Sequence, residues 1–76
     1  MSNVEKFKVI SDEKFGVILQ CSDVELADQF DDFLIENFDH EVSFKFEEGC
    51  VSFFFGKELS VPYITDLYKK FVKEIN

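Results

Sequence analysis

The sequence predicts one α+β domain spanning residues 1–76, with the element order ββαββα. In this arrangement a four-stranded, mostly antiparallel sheet carries both helices on one face. Two observations support the prediction. Four short segments alternate apolar and polar residues, as half-buried strands do, and two longer segments repeat apolar residues at helical spacing. The chain is 46% apolar and contains 11 phenylalanines, which supply the core of a small folded domain.

The first two strands are predicted at residues 4–10 and 14–21, joined by a polar turn at 11–13. A turn this short makes the pair an antiparallel hairpin. One side of each strand is apolar and is expected to face the core. These core-facing residues are Phe7, Val9, Phe15, Val17, Leu19 and Cys21.

The first helix is predicted over residues 22–38, about 25 Å long at 1.5 Å per residue. Ser22 and Glu25 have the spacing of a capping box, in which each side chain satisfies a free backbone N–H at the start of the helix. An apolar stripe follows, and it is expected to face the sheet. Its members are Leu26, Ala27, Phe30, Phe33, Leu34 and Phe38.

The second half repeats this order, with strands predicted at 40–48 and 50–56 and a turn at Glu48 and Gly49. A second helix begins near Ser60 and Pro62, because proline suits the first turn of a helix. The predicted inward residues of the strands are Val42, Phe44, Phe46, Val51, Phe53 and Phe55. The apolar stripe of the second helix is Val61, Ile64, Leu67, Tyr68, Phe71 and Ile75.

All of the net charge comes from one part of the chain. The formal charge is −8, and residues 15–44 contain eight acids and no lysine or arginine, whereas the eight acids elsewhere are balanced by eight lysines. On a helical wheel centred on Phe30, most of these acids lie opposite the apolar stripe. We call this set the acidic face: Glu25, Asp28, Asp31, Asp32, Glu36 and Asp39.

The acidic face has two interpretations. It is either a solvated surface that keeps an aromatic-rich protein soluble or a docking surface for a basic partner. Like charges three and four residues apart on a helix destabilise it by about 0.2–0.5 kcal/mol per pair. Because no lysine in the window compensates this loss, the sequence favours docking. The function predicted is therefore a protein-binding module of the inhibitor, immunity or nucleic-acid-mimic type, whose partner has a basic surface such as that of a nucleic-acid-binding protein.

The other face of the sheet offers an alternative. With both helices on one side, the opposite side would expose Ile10, Ile18, Cys50 and Phe54. An apolar patch of this kind is typical of an interaction surface. It predicts a homodimeric adaptor or chaperone-like module, with Ile10, Ile18 and Phe54 as the dimer face.

The sequence carries no signature of catalysis, so we expect no enzyme, no cofactor and no metal site. His40 is the only histidine, and the three glycines are too scattered for a phosphate-binding loop. The acidic surface argues against direct binding of nucleic acid or anionic membranes. With no apolar signal segment and two cysteines expected to be unpaired, a cytoplasmic location is predicted. All eight basic residues are lysine, and lysine, phenylalanine, isoleucine and asparagine have A/T-rich codons, which fits an A/T-rich genome, including that of a phage or another mobile element.

Overall fold

The computed structural model describes residues 3–38 and 42–75, and it confirms the α+β class and the order ββαββα. A short 3-10 helix at Asn3–Lys6 precedes the first strand. The elements are then β1 (Phe7–Asp12), β2 (Gly16–Cys21), α1 (Val24–Asn37), β3 (Ser43–Glu47), β4 (Cys50–Gly56) and α2 (Val61–Ile75).

The four strands form one antiparallel sheet in the order β1-β2-β4-β3. Each hairpin therefore contributes one central strand, β2 or β4, and one edge strand, β1 or β3. The central pair is aligned with Leu19 opposite Phe53 and Cys21 opposite Val51. All four of these side chains are buried, because directly opposite residues share one face of a sheet.

Both helices cover the inner face of the sheet, but they leave one strand bare. Helix α2 packs on β1 and β2, and α1 packs on β2 and β4. All five residues of β3 remain exposed. The inner face of β3 is therefore an uncovered part of the surface that otherwise forms the core.

Phe30 lies at the centre of the core and is fully buried. Its ring centroid lies 5.4 Å from that of Phe7, 5.2 Å from Phe53 and 5.1 Å from Phe71, each in an edge-to-face geometry. Such pairs add to the energy of burial. One residue of α1 thus connects β1, β4 and α2.

Gly16 is needed at the start of β2. It lies with Val17 opposite Gly56 in a β-bulge, and its φ is +84°. A Cβ atom at this position would collide with the backbone of Gly56 and Lys57. Only glycine fits both the left-handed backbone and the close approach of β4.

The first hairpin differs from its prediction in its bounds. Residues 3–6 are a 3-10 helix rather than strand, and the turn lies at 13–15. The side chain of Asp12 accepts hydrogen bonds from the backbone N–H groups of Lys14 and Phe15 at 2.7 and 3.0 Å, which forms the turn. Phe15 was expected in the core, and this is wrong: it lies in the turn and is 53% exposed.

The start of α1 also differs by one residue. The predicted cap was Ser22, but the N-cap is Asp23, whose Oδ1 accepts from the Leu26 N–H at 3.2 Å. Ser22 instead donates through its backbone N–H to the carbonyl of Lys6 at 2.9 Å. The helix ends at Asn37, one residue before the predicted end.

Candidate protein-binding surfaces

The acidic face lies on the solvent side of α1, as its spacing indicates. Glu25, Asp28, Asp32 and Glu36 are exposed, and Asp31 is half-buried. The apolar stripe on the opposite side of the helix packs into the core. Asp39, the last member of the acidic face, and the neighbouring Glu41 lie outside the described residues.

None of these five acids forms an ion pair within residues 3–38 and 42–75. The ion pairs in those ranges are Lys6–Asp23 at 2.7 Å and Lys45–Glu47 at 2.9 Å. The five carboxylates therefore contribute no ion pair to the described fold.

Among the described acids of the charged window, Asp23 is the one with a clear structural role. Its Oδ2 accepts from the Lys6 ammonium at 2.7 Å, and its Oδ1 caps α1. These hydrogen bonds, that from Lys6 first, hold the pKa of the Asp23 carboxyl below its usual value. The Asp23 carboxylate in turn raises the pKa of Lys6. The sequence pattern of the window did not reveal this pair, because Lys6 is 17 residues away.

The Asp23 pair predicts a pH dependence of stability. A carboxyl whose pKa is lowered by folding stabilises the protein above its unfolded pKa of about 3.9, and this is lost as the pH falls through the folded pKa. Asp23→Asn keeps a good N-cap but removes the charge. We expect the variant to be less stable than the wild type at pH 7, and this difference to shrink towards pH 2. Urea melts across that range measure it, and parallel curves for the two proteins would contradict it.

A groove runs between α1 and the uncovered strand β3. Its floor is Val51 and Phe53 of β4, one wall is the Val24–Asp31 side of α1, and the other wall is Phe44 and Phe46. The two phenylalanines lie on the inner face of the sheet, as predicted, because Phe44 is opposite Phe53 and Phe46 is opposite Val51. Their expected burial is wrong: they are 57% and 61% exposed, because neither helix covers β3.

Two exposed apolar residues of α1 were not singled out from the sequence. Val24 is 40% exposed and Ile35 is 72% exposed. At 100° per residue, Ile35 lies about 140° from Phe30 on the helical wheel, among the acids rather than in the apolar stripe. An isolated isoleucine inside an acidic surface is the sequence signal that would have identified it.

The outer face of the sheet places the predicted dimer residues in one row. Ile10 is opposite Ile18 across β1 and β2, and Ile18 is opposite Phe54 across β2 and β4. All three are half-buried. Phe15 extends this row, because its ring packs edge-on against Phe54 with centroids 6.0 Å apart. The sequence had assigned Phe15 to the opposite face.

The two cysteines are unpaired. Cys21 is buried in the core and Cys50 is half-exposed. Burial raises the pKa of the Cys21 thiol, which makes it a poor nucleophile. Throughout the described parts of the chain, no three His, Cys, Asp or Glu side chains come together in a way that could hold a metal ion. His40 lies outside those parts.

Comparisons of the chain with known protein families, with curated proteins and with solved structures give no match. Within residues 3–38 and 42–75, no helix has the length and apolar character needed to cross a membrane.

Proposed function

We propose that this protein is a small binding module that occupies a basic surface of another protein through the acidic face of α1. The observation that carries the proposal is that the five described acids are at least partly exposed and form no ion pair within the described residues. They also repel one another along the helix. A basic partner would relieve this repulsion.

The class that fits is an inhibitor, immunity or nucleic-acid-mimic protein. Helix α1 has 14 residues and is therefore about 21 Å long, so its five described acids carry about one charge per 4 Å. Single-stranded nucleic acid has a similar charge spacing, about 3.4 Å, whereas duplex DNA carries one charge per about 1.7 Å. A partner that normally binds a single strand is thus a better match than one that binds a duplex.

A module of this kind acts by binding rather than by catalysis, and we place it in the cytoplasm. Its two unpaired cysteines are compatible with a reducing compartment. The negative surface would repel nucleic acid and anionic lipid, so the partner is expected to be a protein.

Ionic strength tests the proposal. The immobilised protein should retain its partner from a lysate of the source organism at about 0.1 M salt and release it at about 1 M salt. The reason is that the Debye screening length falls from about 10 Å to about 3 Å over this range. The matched control is a bait in which three acids of the acidic face are neutralised by Glu25→Gln, Asp28→Asn and Asp32→Asn. It should capture much less of the partner. A partner retained equally at both salt concentrations, and by both baits, would contradict docking through the acidic face.

The alternative function is a homodimeric adaptor or chaperone-like module. It is favoured by the continuous row of Ile10, Ile18 and Phe54, with Phe15 packed beside it. A patch of this kind would be buried by a second copy placed sheet to sheet. Light scattering distinguishes the two functions, since such a dimer would persist at high salt and would be lost in Phe54→Ser.

A further inference from the structure

An apolar groove lies between α1 and β3, beside the acidic face. We call it the α1–β3 groove, and its lining is Val24, Ala27, Asp28, Asp31, Phe44, Phe46, Val51 and Phe53. Its volume is about 140 Å³. A cavity of about 150 Å³ holds a benzene ring, so the groove has room for one large apolar side chain of a partner.

We infer that the α1–β3 groove binds a basic amphipathic helix of the partner protein, which inserts one large apolar side chain between Phe44, Phe46 and α1. This inference rests on the proposed function and specifies the part of the partner that is recognised. It joins the groove and the acidic face into one surface, because Asp28 and Asp31 belong to both.

The shape of the site favours a helix. From Val24 to Asp31 the α1 wall of the groove runs for about 10 Å, which accommodates about two helical turns of a partner. A helix laid beside α1 would occupy the place over β3 that neither α1 nor α2 covers. It would bury Phe44 and Phe46 in the way that α1 buries Phe53. A strand added to the free edge of β3 would pair backbone groups but would leave the inner face of β3 uncovered.

The charge of the site favours a basic partner over a second copy of the chain. Two copies that met through this surface would bring Asp28 and Asp31 of one against the same acids of the other, with a formal charge of −8 on each chain. The protein has a basic amphipathic helix of its own, α2, which carries Lys69, Lys70 and Lys73. The apolar face of α2 is already buried in the core, so it is not free to fill the groove of another copy.

A synthetic peptide tests the inference without knowledge of the natural partner. The probe is a 14-residue helix, about 21 Å long, with leucines at the i, i+3, i+4 and i+7 positions and lysines on the remaining surface. A second peptide of identical composition has its leucines scattered around the helix. Titration into the full-length protein, followed by fluorescence anisotropy, should show binding of the amphipathic peptide that is at least about tenfold tighter than that of the scattered one.

Two variants identify the surface used. Phe44→Ser with Phe46→Ser removes the outer wall of the groove, and we expect it to weaken binding by about tenfold or more. Phe15→Ser is the matched control, because it removes an equally exposed phenylalanine from another surface, and it should leave the affinity unchanged. Since both groove residues are exposed, the variants should remain folded, which circular dichroism verifies. In the wild type, amide chemical-shift changes should map to α1 and β3.

The outcomes separate the inference from the proposed function. Three outcomes would contradict binding in the groove. They are equal binding of the two peptides, no binding of either at about 1 mM, and an unchanged affinity of the Phe44→Ser, Phe46→Ser variant. If that variant binds normally but Asp28→Asn with Asp31→Asn weakens binding, docking through the acidic face stands and the groove does not. If only the phenylalanine pair matters, the groove stands as an apolar site and the basic character of its occupant is wrong. A peptide that binds without gaining helicity, while protecting β3 amides from exchange, would show strand addition and overturn the helical occupant.

Discussion

Replacing Phe30 with alanine is expected to lower the free energy of unfolding by about 3–5 kcal/mol. The side chain is fully buried, and its ring contacts Phe7, Phe33, Phe53 and Phe71 within centroid distances of 5.1–6.0 Å. Its removal would leave a cavity where β1, β4, α1 and α2 meet. A chain of this length has a total stability of only about 4–11 kcal/mol at 0.05–0.15 kcal/mol per residue, so the variant is expected to be largely unfolded or close to it.

Urea melts of three variants measure this effect. Phe30→Leu keeps an apolar side chain and should stay folded with a smaller loss, which gives a measurable point if Phe30→Ala does not fold. Phe46→Ala is the matched control: Phe46 is 61% exposed, and its loss should be below about 1 kcal/mol. Similar losses in Phe30→Ala and Phe46→Ala would contradict the position of Phe30 at the centre of the core.

The central part of the fold could be predicted from the sequence because it depends on local periodicity. Alternation identified β4 at its observed bounds, 50–56, and helical spacing placed Phe30 and Phe33 on the buried side of α1. The capping residue was displaced by one position because Ser22 and Asp23 are both good N-caps. A tertiary contact decides between them, since Ser22 bonds to the backbone of Lys6 and leaves Asp23 at the helix start.

The exposure of β3 could not be predicted in the same way. Alternation assigns Phe44 and Phe46 to one face of a strand, but it does not say whether another element covers that face. Coverage depends on where the helices lie across the sheet, which is set by long-range packing of α1 on β2 and β4. Phe15 shows a related limit, because the bulge at Gly16 interrupts the alternation on which its assignment depended.

The acidic face was predicted from spacing alone, because a surface of one helix is a local property. The position of the acidic face beside the apolar groove was not predicted from the sequence, since Asp28 and Phe44 come together only in the folded protein. The sequence therefore predicted two alternative docking surfaces, one formed by the acids and the other by exposed apolar residues. The structure brings one set of exposed phenylalanines beside the acids and the Ile10–Ile18–Phe54 row onto the opposite face of the sheet.

Charge reversal on α1, by Asp28→Lys together with Asp32→Lys, is expected to abolish binding of the partner captured at low salt while leaving the fold intact. Both positions are exposed, so neither change disturbs the core. Position 28 lies three residues from both Glu25 and Asp31, and position 32 lies four residues from Glu36. Three like-charge pairs therefore become opposite-charge pairs, while the pair between positions 28 and 32 remains like-charged. At about 0.2–0.5 kcal/mol per pair, the free energy of unfolding should rise slightly.

The measurement combines a thermal melt with a binding assay on the same protein. The matched control is Glu13→Lys with Glu58→Lys, which makes the same change in net charge at two exposed loop positions away from α1. If the acidic face is the docking surface, the control should bind nearly as well as the wild type, because only the local field at the interface is lost in the α1 variant. If both variants lose the same affinity for the partner, binding depends on net charge alone. An unchanged affinity in a folded α1 variant would leave the acids as solubilising charge and would move the interaction to the row of Ile10, Ile18 and Phe54.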